Sequence, residues 1–332
     1  KKKIWITGDA GFIEYSFCKK LLTNNTYEII GIDNLNEYYS KKLKKKRIEI
    51  LENYKKFEFY KIDLKDRNKL EALFKKNNFA IVFNFAVQAG IRYSYINPLR
   101  YCDSNINGFN NLLYLIKKYK VLKLFFASSS SVYGNLGPYP KKENDNLNTL
   151  NIYSLSKLQN EIIAKTFSKN SNLLIIGLRF FTIYGEWWRP DMLILKYLKS
   201  IKDNKNFELF NYGNHYKDFT YINDVVEILN KLMTIKFKNN FEVLNICSSN
   251  PIKITKIIKL IEQMGFKGKI DKKPLHSADV LKTYGSNKKL LKVLGKFKFS
   301  NYKDGVKNTV NWFKKNSNLI WPINICLIIF LF

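Results

Sequence analysis

Apolar runs of strand length recur along the first half of the chain, separated by stretches whose apolar residues return every three to four positions. Lys3-Ile4-Trp5-Ile6-Thr7 is the first run, and an amphipathic stretch through Phe17, Leu21 and Leu22 follows it. Glu28 to Asp33 is a second buried strand that ends in an acid. Phe57 to Leu64, Ala80 to Ala86, Leu122 to Ala127 and Leu174 to Phe181 continue the series, and Leu158 to Phe167 carries helical periodicity. Strands alternating with helices predict an α/β fold of the Rossmann type. Its doubly wound parallel sheet would bind ligands at the carboxyl ends of the strands.

Past Phe181 the alternation gives way to mixed elements. A helix is expected near Met192–Lys202, short strands near Phe207–Tyr212, and a helix after Asp224. A strand at Val243–Cys247 and helices at Ile254–Met264 and Lys303–Lys315 complete the pattern. The division expected is a cofactor domain over 1–176 and a smaller C-terminal substrate-binding lobe over 177–316, with some elements returning to the sheet. Leu319 to Phe332 is nearly all apolar, shorter than the ~20 residues a bilayer span needs, and interrupted by Pro322. Residues 317–332 are therefore expected as an appended tail, with a peripheral membrane contact as the lesser alternative.

Composition narrows the function classes. The net charge of +30 suggests nucleic acid, but the basic residues are mostly Lys and scattered, apart from Lys1–Lys3 and Lys41–Arg47. With abundant Asn and Ile they fit an AT-biased coding sequence, so no specific nucleic-acid partner is expected. Cys18, Cys102, Cys247 and Cys326 are far apart and form no Cys-x-x-Cys pair, which fits a reducing, cytoplasmic compartment. With only His215 and His276 available, neither a zinc site nor a histidine triad is expected, and no metal is assigned. Lys1–Lys3 lead straight into a strand, so no signal peptide is read there.

Candidate chemistry starts at the first turn. Gly8-Asp9-Ala10-Gly11-Phe12-Ile13-Glu14 sits between strand and helix, and Asp33 lies 25 residues beyond Gly8. Glycines there let backbone N–H groups approach a pyrophosphate at a helix N-terminus. The acid would accept hydrogen bonds from an adenosine ribose and repel a 2′-phosphate, favouring NAD over NADP. Glu14 departs from this pattern, because a third glycine usually stands there; weakened cofactor affinity is expected. Asp63, at the end of the third strand, could reach the adenine. Tyr153 and Lys157 stand four apart on one helix, so an ammonium beside the phenol would lower its pKa and make a general base for a hydroxyl. The run Ser128-Ser129-Ser130-Ser131 ends the fifth strand and could donate to a substrate oxygen near Tyr153.

Taken in order, these motifs resemble the extended short-chain dehydrogenase/reductases acting on nucleotide sugars, and most of all the UDP-glucuronate 4-epimerases. The likeness runs from about Lys3 to Lys315. It rests on the glycine turn, Gly31-Ile32-Asp33-Asn34-Leu35-Asn36, Ala89-Gly90-Ile91-Arg92-Tyr93-Ser94 and Ala127 to Gly134. Tyr153-x-x-x-Lys157, Leu178 to Gly185, Arg189-Pro190-Asp191-Met192 and Asp218 to Ile222 complete it.

The resemblance implies epimerisation at C4 of a UDP-sugar, UDP-glucuronate to UDP-galacturonate before other sugars, through a 4-keto intermediate and a retained NAD. Tyr153 would be the base, Lys157 its partner and a ribose ligand, and Ser129 or Ser130 the hydrogen-bond partner of O4. The dinucleotide would lie against Gly8, Gly11, Phe12, Ile13, Asp33, Asn34, Asp63, Leu64, Phe85 and Ala86. Arg92, Ser131, Thr182 and Arg189 would surround the C5 substituent, where an arginine can hold a carboxylate bidentately, while Lys217 and Asp279 would serve the nucleotide end. A homodimer is implied too. The dehydratase branch expects an Asp-Glu pair where Ser130 and Ser131 stand, so water elimination is disfavoured. Besides Glu14, departures fall at Lys217 (normally arginine), at Glu186 and Trp188, and around His276. They leave open a decarboxylase or another epimerase of the same family, or a catalytically degenerate NAD-binding homologue.

Overall fold

Each apolar run of the first half becomes a parallel strand, and all but the edge strand Phe57–Tyr60 are buried on both faces, because consecutive side chains point to opposite sides of a sheet that helices cover twice. The computed structural model describes residues 3–135, 137–275 and 280–320. The first half comprises β1 (Lys3–Thr7), α1 (Phe12–Thr23), β2 (Glu28–Ile32), α2 (Lys41–Glu52), β3 (Phe57–Tyr60), α3 (Arg67–Lys76) and β4 (Phe79–Asn84). After α4 (Ile91–Ile96) and α5 (Leu99–Tyr101), a π-helical turn at Cys102–Asn107 leads into α6 (Gly108–Lys118) and β5 (Lys123–Ser129). Then come α7 (Ile152–Lys169) and β6 (Leu174–Phe180).

The sheet has seven strands in the order β10-β6-β5-β4-β1-β2-β3, where β10 (Phe241–Ile246) returns from the second half to pair parallel with β6. Ile4, Ile6, Phe83 and Phe125 face α1 and the helices of the second half, whereas Trp5, Ile30, Val82 and Phe126 face α3, α6 and α7. The remaining elements are β7 (Thr182–Tyr184), α8 (Leu193–Lys202), β8 (Phe207–Leu209), β9 (Tyr216–Tyr221), α9 (Ile222–Thr234), β11 (Pro251–Lys253), α10 (Ile254–Gln263), β12 (Ile270–Lys272), α11 (Lys288–Leu294) and α12 (Tyr302–Asn316). They form a three-stranded sheet, β11-β9-β7, and a two-stranded one, β12-β8.

Two strands are shorter than their apolar pattern suggested. β3 ends at Tyr60 because the Asp63 side chain accepts from the Lys65 N–H (3.1 Å) and Asp66 caps α3, which turns the chain out of the sheet. β8 stops at Leu209 because Asn211 and Tyr212 adopt left-handed dihedrals within a 3₁₀ turn. The basic run Lys41–Arg47 forms most of α2, and two of its cations, Lys44 and Arg47, point inward and are buried. Among the described residues, no helix is long and apolar enough to cross a membrane. The apolar tail from 321 onward lies outside the described residues.

A buried ion pair fastens α7 to the sheet. Arg179 of β6 donates from Nε and Nη2 to the two carboxylate oxygens of Glu161 (2.9 and 2.7 Å), and Ser128 adds a third donor at 2.5 Å. Arg179 also donates to the Tyr133 hydroxyl (2.8 Å), which in turn donates to Asn245 of β10 (2.7 Å). Removing one partner strands a charge where water cannot reach it. Glu161→Ala is therefore expected to lose about 3–5 kcal/mol of stability in urea unfolding. A loss near that of an exposed ion pair, under ~1 kcal/mol, would contradict this account.

Candidate active site

The strand order reverses between β1 and β4, and the crevice at their carboxyl ends opens there, with a cavity volume of about 2180 Å³. The Thr7 hydroxyl ties the two strands, donating to Asn84 Oδ1 (2.8 Å) and accepting from the Ala86 N–H (3.1 Å). Gly8 takes φ +84°, and a Cβ on it would lie 2.8 Å from the Ala86 backbone, so only glycine fits. Its carbonyl accepts from the Gly11 N–H at 2.6 Å, closing the turn that starts α1. At the end of β2, Asp33 accepts from the Leu35 N–H (2.6 Å), and Asn34 donates to Asp63 (2.9 Å) across the tip of β3. Gly8, Gly11, Phe12, Ile13, Asp33, Asn34, Asp63, Leu64, Phe85 and Ala86 all line this part of the crevice.

The turn has the shape of a dinucleotide cradle, with one intruder. A Cβ on Gly11 would lie 2.2 Å from Glu14 Oε2, so the Glu14 carboxyl folds back over the glycine turn. Burial raises its pKa to about 8, reinforced by the nearby Asp33 charge and opposed by its own backbone N–H, Arg47 and Arg189. Asp9 is buried in the same turn, with neither carboxyl oxygen hydrogen-bonded among the described residues, and burial drives its pKa well up. Asp33 is raised for the same reason, partly offset by Lys44. The residues fit a dinucleotide once the Glu14 carboxyl is neutral or turned aside.

Across the crevice, α7 presents Tyr153 at its first turn. Asn151 caps the helix, accepting from the Ser154 N–H (2.9 Å) while Ser154 accepts from the Asn151 N–H (3.2 Å). The π-helical turn lets Asn105 reach both sides of the site. It accepts from the Gln88 N–H (2.8 Å) and donates to Ser156 of α7 (2.9 Å). Ser129 accepts from both the N–H (3.1 Å) and the hydroxyl (2.9 Å) of Ser131, which leaves its own proton to give.

Tyr153 corrects the expected phenolate. Burial raises the phenol, and although Ser129 and Arg189 oppose this, they do not win. Lys157 lies fully buried behind the crevice wall, donating to the Ala127 carbonyl at 3.0 Å. Its own pKa falls to about 7 through burial, with only Glu14 pulling it back. The sequence argument counted the cation and omitted the desolvation that both groups share.

Ser130, Ser131, Thr182, Arg92, Arg189 and Lys217 line the other half of the crevice. Arg189 donates to Asp191 (3.1 Å) and lies over the Tyr38 ring (5.6 Å), and Tyr38 donates to Asp191 at 3.4 Å. Arg92 is exposed at the rim and stacks on Phe210 at 4.5 Å. Lys217 donates to the Val280 carbonyl (2.5 Å).

Of the two departures beside Arg189, Glu186 stands outside the crevice lining, whereas Trp188 contributes to it from the core side. Glu186 accepts both its hydrogen bonds from Tyr221 (2.9 and 2.8 Å), and Trp188 is core, packed edge-on to Tyr184. Asp279 and His276 lie outside the described residues. Sequence reading missed Tyr38, Asp191 and Asn105. Asp191 stood inside a motif already singled out, but Asn105 carried no local signal.

A family model described as the NAD dependent epimerase/dehydratase family matches residues 4–247. A UDP-glucuronate 4-epimerase of Thermodesulfobacterium geofontis is 36% identical, the match covering 96% of this chain and 98% of that protein. The crystal structure of Bacillus cereus UDP-glucuronic acid 4-epimerase with UDP-glucuronic acid and NAD superposes with a TM-score of 0.88 at 28% identity, covering 94% of this chain and 99% of that one. The UDP-glucose 4-epimerase of Thermotoga maritima, with UDP-glucose, gives 0.85 at 26% identity, covering 95% and 99%.

The acids of the glycine turn set a pH dependence. A carboxyl with a folded pKa of about 8, above an unfolded value near ~4.3, destabilises the fold increasingly as pH rises between those values. In Glu14→Gln that penalty is gone. Its stability in denaturant should match the parent near about pH 4 and exceed it by on the order of a few kcal/mol near about pH 9. A pH-independent difference would show that Glu14 is not held neutral.

Proposed function

The chain belongs to the NAD dependent epimerase/dehydratase family, and we propose that it interconverts UDP-glucuronate and UDP-galacturonate by inverting C4. The observation that carries this reading is the convergence of Tyr153, Ser129 and Arg189 on the crevice that the glycine turn opens. Gly8, Gly11 and Asp33 would hold the dinucleotide. NAD held there would supply the hydride acceptor for C4 and the donor for its return to the opposite face of the sugar.

Tyr153 moves the proton. Its oxygen accepts the proton of the 4-hydroxyl as the hydride leaves, giving a 4-keto sugar, and returns it when the hydride comes back. Because burial holds the phenol up in the open crevice, the base becomes effective only when positive charge enters beside it. Ser129 has its acceptor side taken by Ser131 and so donates to the sugar O4. Arg189, oriented by Asp191 and Tyr38, is the residue we assign to the sugar carboxylate. A fixed carboxylate matters because the 4-keto uronate is a β-keto acid, and free rotation of that group would favour loss of carbon dioxide. Ser131 and Thr182 line the same wall, and Lys217 serves the diphosphate end.

We place the protein in the cytoplasm, supplying uronate precursors for polysaccharide synthesis. We assign a homodimer contact to the outer face of α7, where Leu155 and Ile162 are 45% and 56% exposed one heptad apart.

Incubation with UDP-glucuronate and NAD, followed by chromatography of the sugar nucleotides, should yield UDP-galacturonate. Tyr153→Phe should lower turnover by roughly 10²–10⁴-fold. Formation of a UDP-pentose would instead make the protein a decarboxylase, and epimerisation of UDP-glucose alone would make it a neutral-sugar enzyme. Glu14→Gly should bind NAD roughly tenfold more tightly than the parent at about pH 8.5, equivalent to ~1.4 kcal/mol. Equal affinity in calorimetry would remove Glu14 from the cofactor account.

A further inference from the structure

Arg47 is one of the least exposed cations in the protein, with no accessible surface, yet no carboxylate stands within ion-pair distance of it among the described residues. Its partners are neutral and directional. Nη1 donates to the Ala10 carbonyl (2.6 Å) and to the Tyr39 hydroxyl (2.7 Å). Nη2 donates to the Trp187 carbonyl. Burying a guanidinium without a salt bridge is costly, and methionine would fill similar volume with no charge to desolvate. What arginine adds is a planar fork that holds two separate backbone segments at a fixed spacing.

Both segments belong to the site. Ala10 lies inside the glycine turn, between Gly8 and Gly11. Trp187 lies two residues before Arg189 and adopts φ +65°, a left-handed conformation that non-glycine residues rarely take. Its ring packs between Tyr15 of α1 (5.0 Å) and Trp312 of α12 (5.2 Å), while its carbonyl turns to Arg47. Strain of this kind persists only where the surroundings impose it.

We infer that Arg47 is a positioning residue that couples the glycine turn to the loop carrying Arg189, so that filling the cofactor site firms the end of the crevice that selects the sugar. Its consequence for substrate choice rests on the assignment of Arg189 to the sugar carboxylate; the coupling itself does not.

Hydrogen–deuterium exchange read by mass spectrometry tests the coupling directly. In the parent, saturating NAD should slow amide exchange across residues 185–191. Arg47→Lys keeps the charge but not the fork. It should still bind NAD, yet show no such slowing. Tyr39→Phe leaves the Ala10 and Trp187 contacts in place and should retain it. In the same variants, the dissociation constant for UDP-glucuronate should rise roughly tenfold in Arg47→Lys, with that for UDP unchanged. A loop indifferent to NAD in the parent, or slowing that survives in Arg47→Lys, overturns the inference. So does a loss confined to thermal stability, with both affinities unchanged. Should the parent bind UDP and UDP-glucuronate equally well, the uronate assignment fails, and the exchange result still decides the coupling.

Discussion

The backbone of Gly8 approaches that of Ala86 so closely that a Cβ would stand 2.8 Å from it, and the site depends on this contact. Bringing the ends of β1 and β4 together at the point where the strand order reverses fixes the turn that begins α1. The same approach sets one wall of the crevice. The opposite wall, from Ser129 through Tyr153, is held against it by Asn105, which bonds to the Gln88 backbone beyond β4 and to Ser156 on α7. The glycine turn and the Ser129–Tyr153 wall therefore face each other because they follow neighbouring strands, β1, β4 and β5, of one parallel sheet.

Desolvation is the cost of such a crevice. Lys157, Asp9 and Glu14 are buried and Tyr153 is half-buried at the crevice wall, and each shifts toward its neutral form. The charge on each of these groups therefore depends on what binds beside it. A phenol raised by burial and a lysine lowered to about 7 form a latent pair. A positive charge arriving beside the phenol pulls it toward the phenolate, whereas a polyanion settling on the glycine turn favours the protonated states of Glu14 and Lys157.

The sequence departures divide by where the fold puts them. Glu186 and Trp188 sit beside Arg189 in the chain, but a tyrosine and the aromatic core absorb them. Glu14 has no such outlet. It lies over Gly11 in the first turn of α1, where its carboxyl competes with any phosphate for the same helix N-terminus. A degenerate homologue would be expected to lose groups across the site. Here Tyr153, Ser129 and Arg189 line one crevice with Lys157 buried behind its wall, and Glu14 lies over the glycine turn opposite them.

The alternation of apolar runs determined the parallel sheet, because strands covered on both faces must be apolar throughout, and short-range spacing determined the glycine turn and the Tyr153–Lys157 helix. The strand ends were less legible, since Asp63 and Asn211 end pairing by local side-chain and backbone bonds that hydrophobicity does not register. In the chain, the basic run Lys41–Arg47 stood out only as a concentration of charge, with nothing to mark which cation turns inward. Only the packed structure turned Arg47 inward to hold the carbonyls of Ala10 and Trp187, residues separated from it by 37 and 140 positions. The same holds for Tyr153 and Lys157: spacing put both on one helix, but tertiary burial keeps the phenol neutral and lowers the lysine to about 7. Desolvation depends on everything packed around a group, and no local stretch of sequence contains that sum.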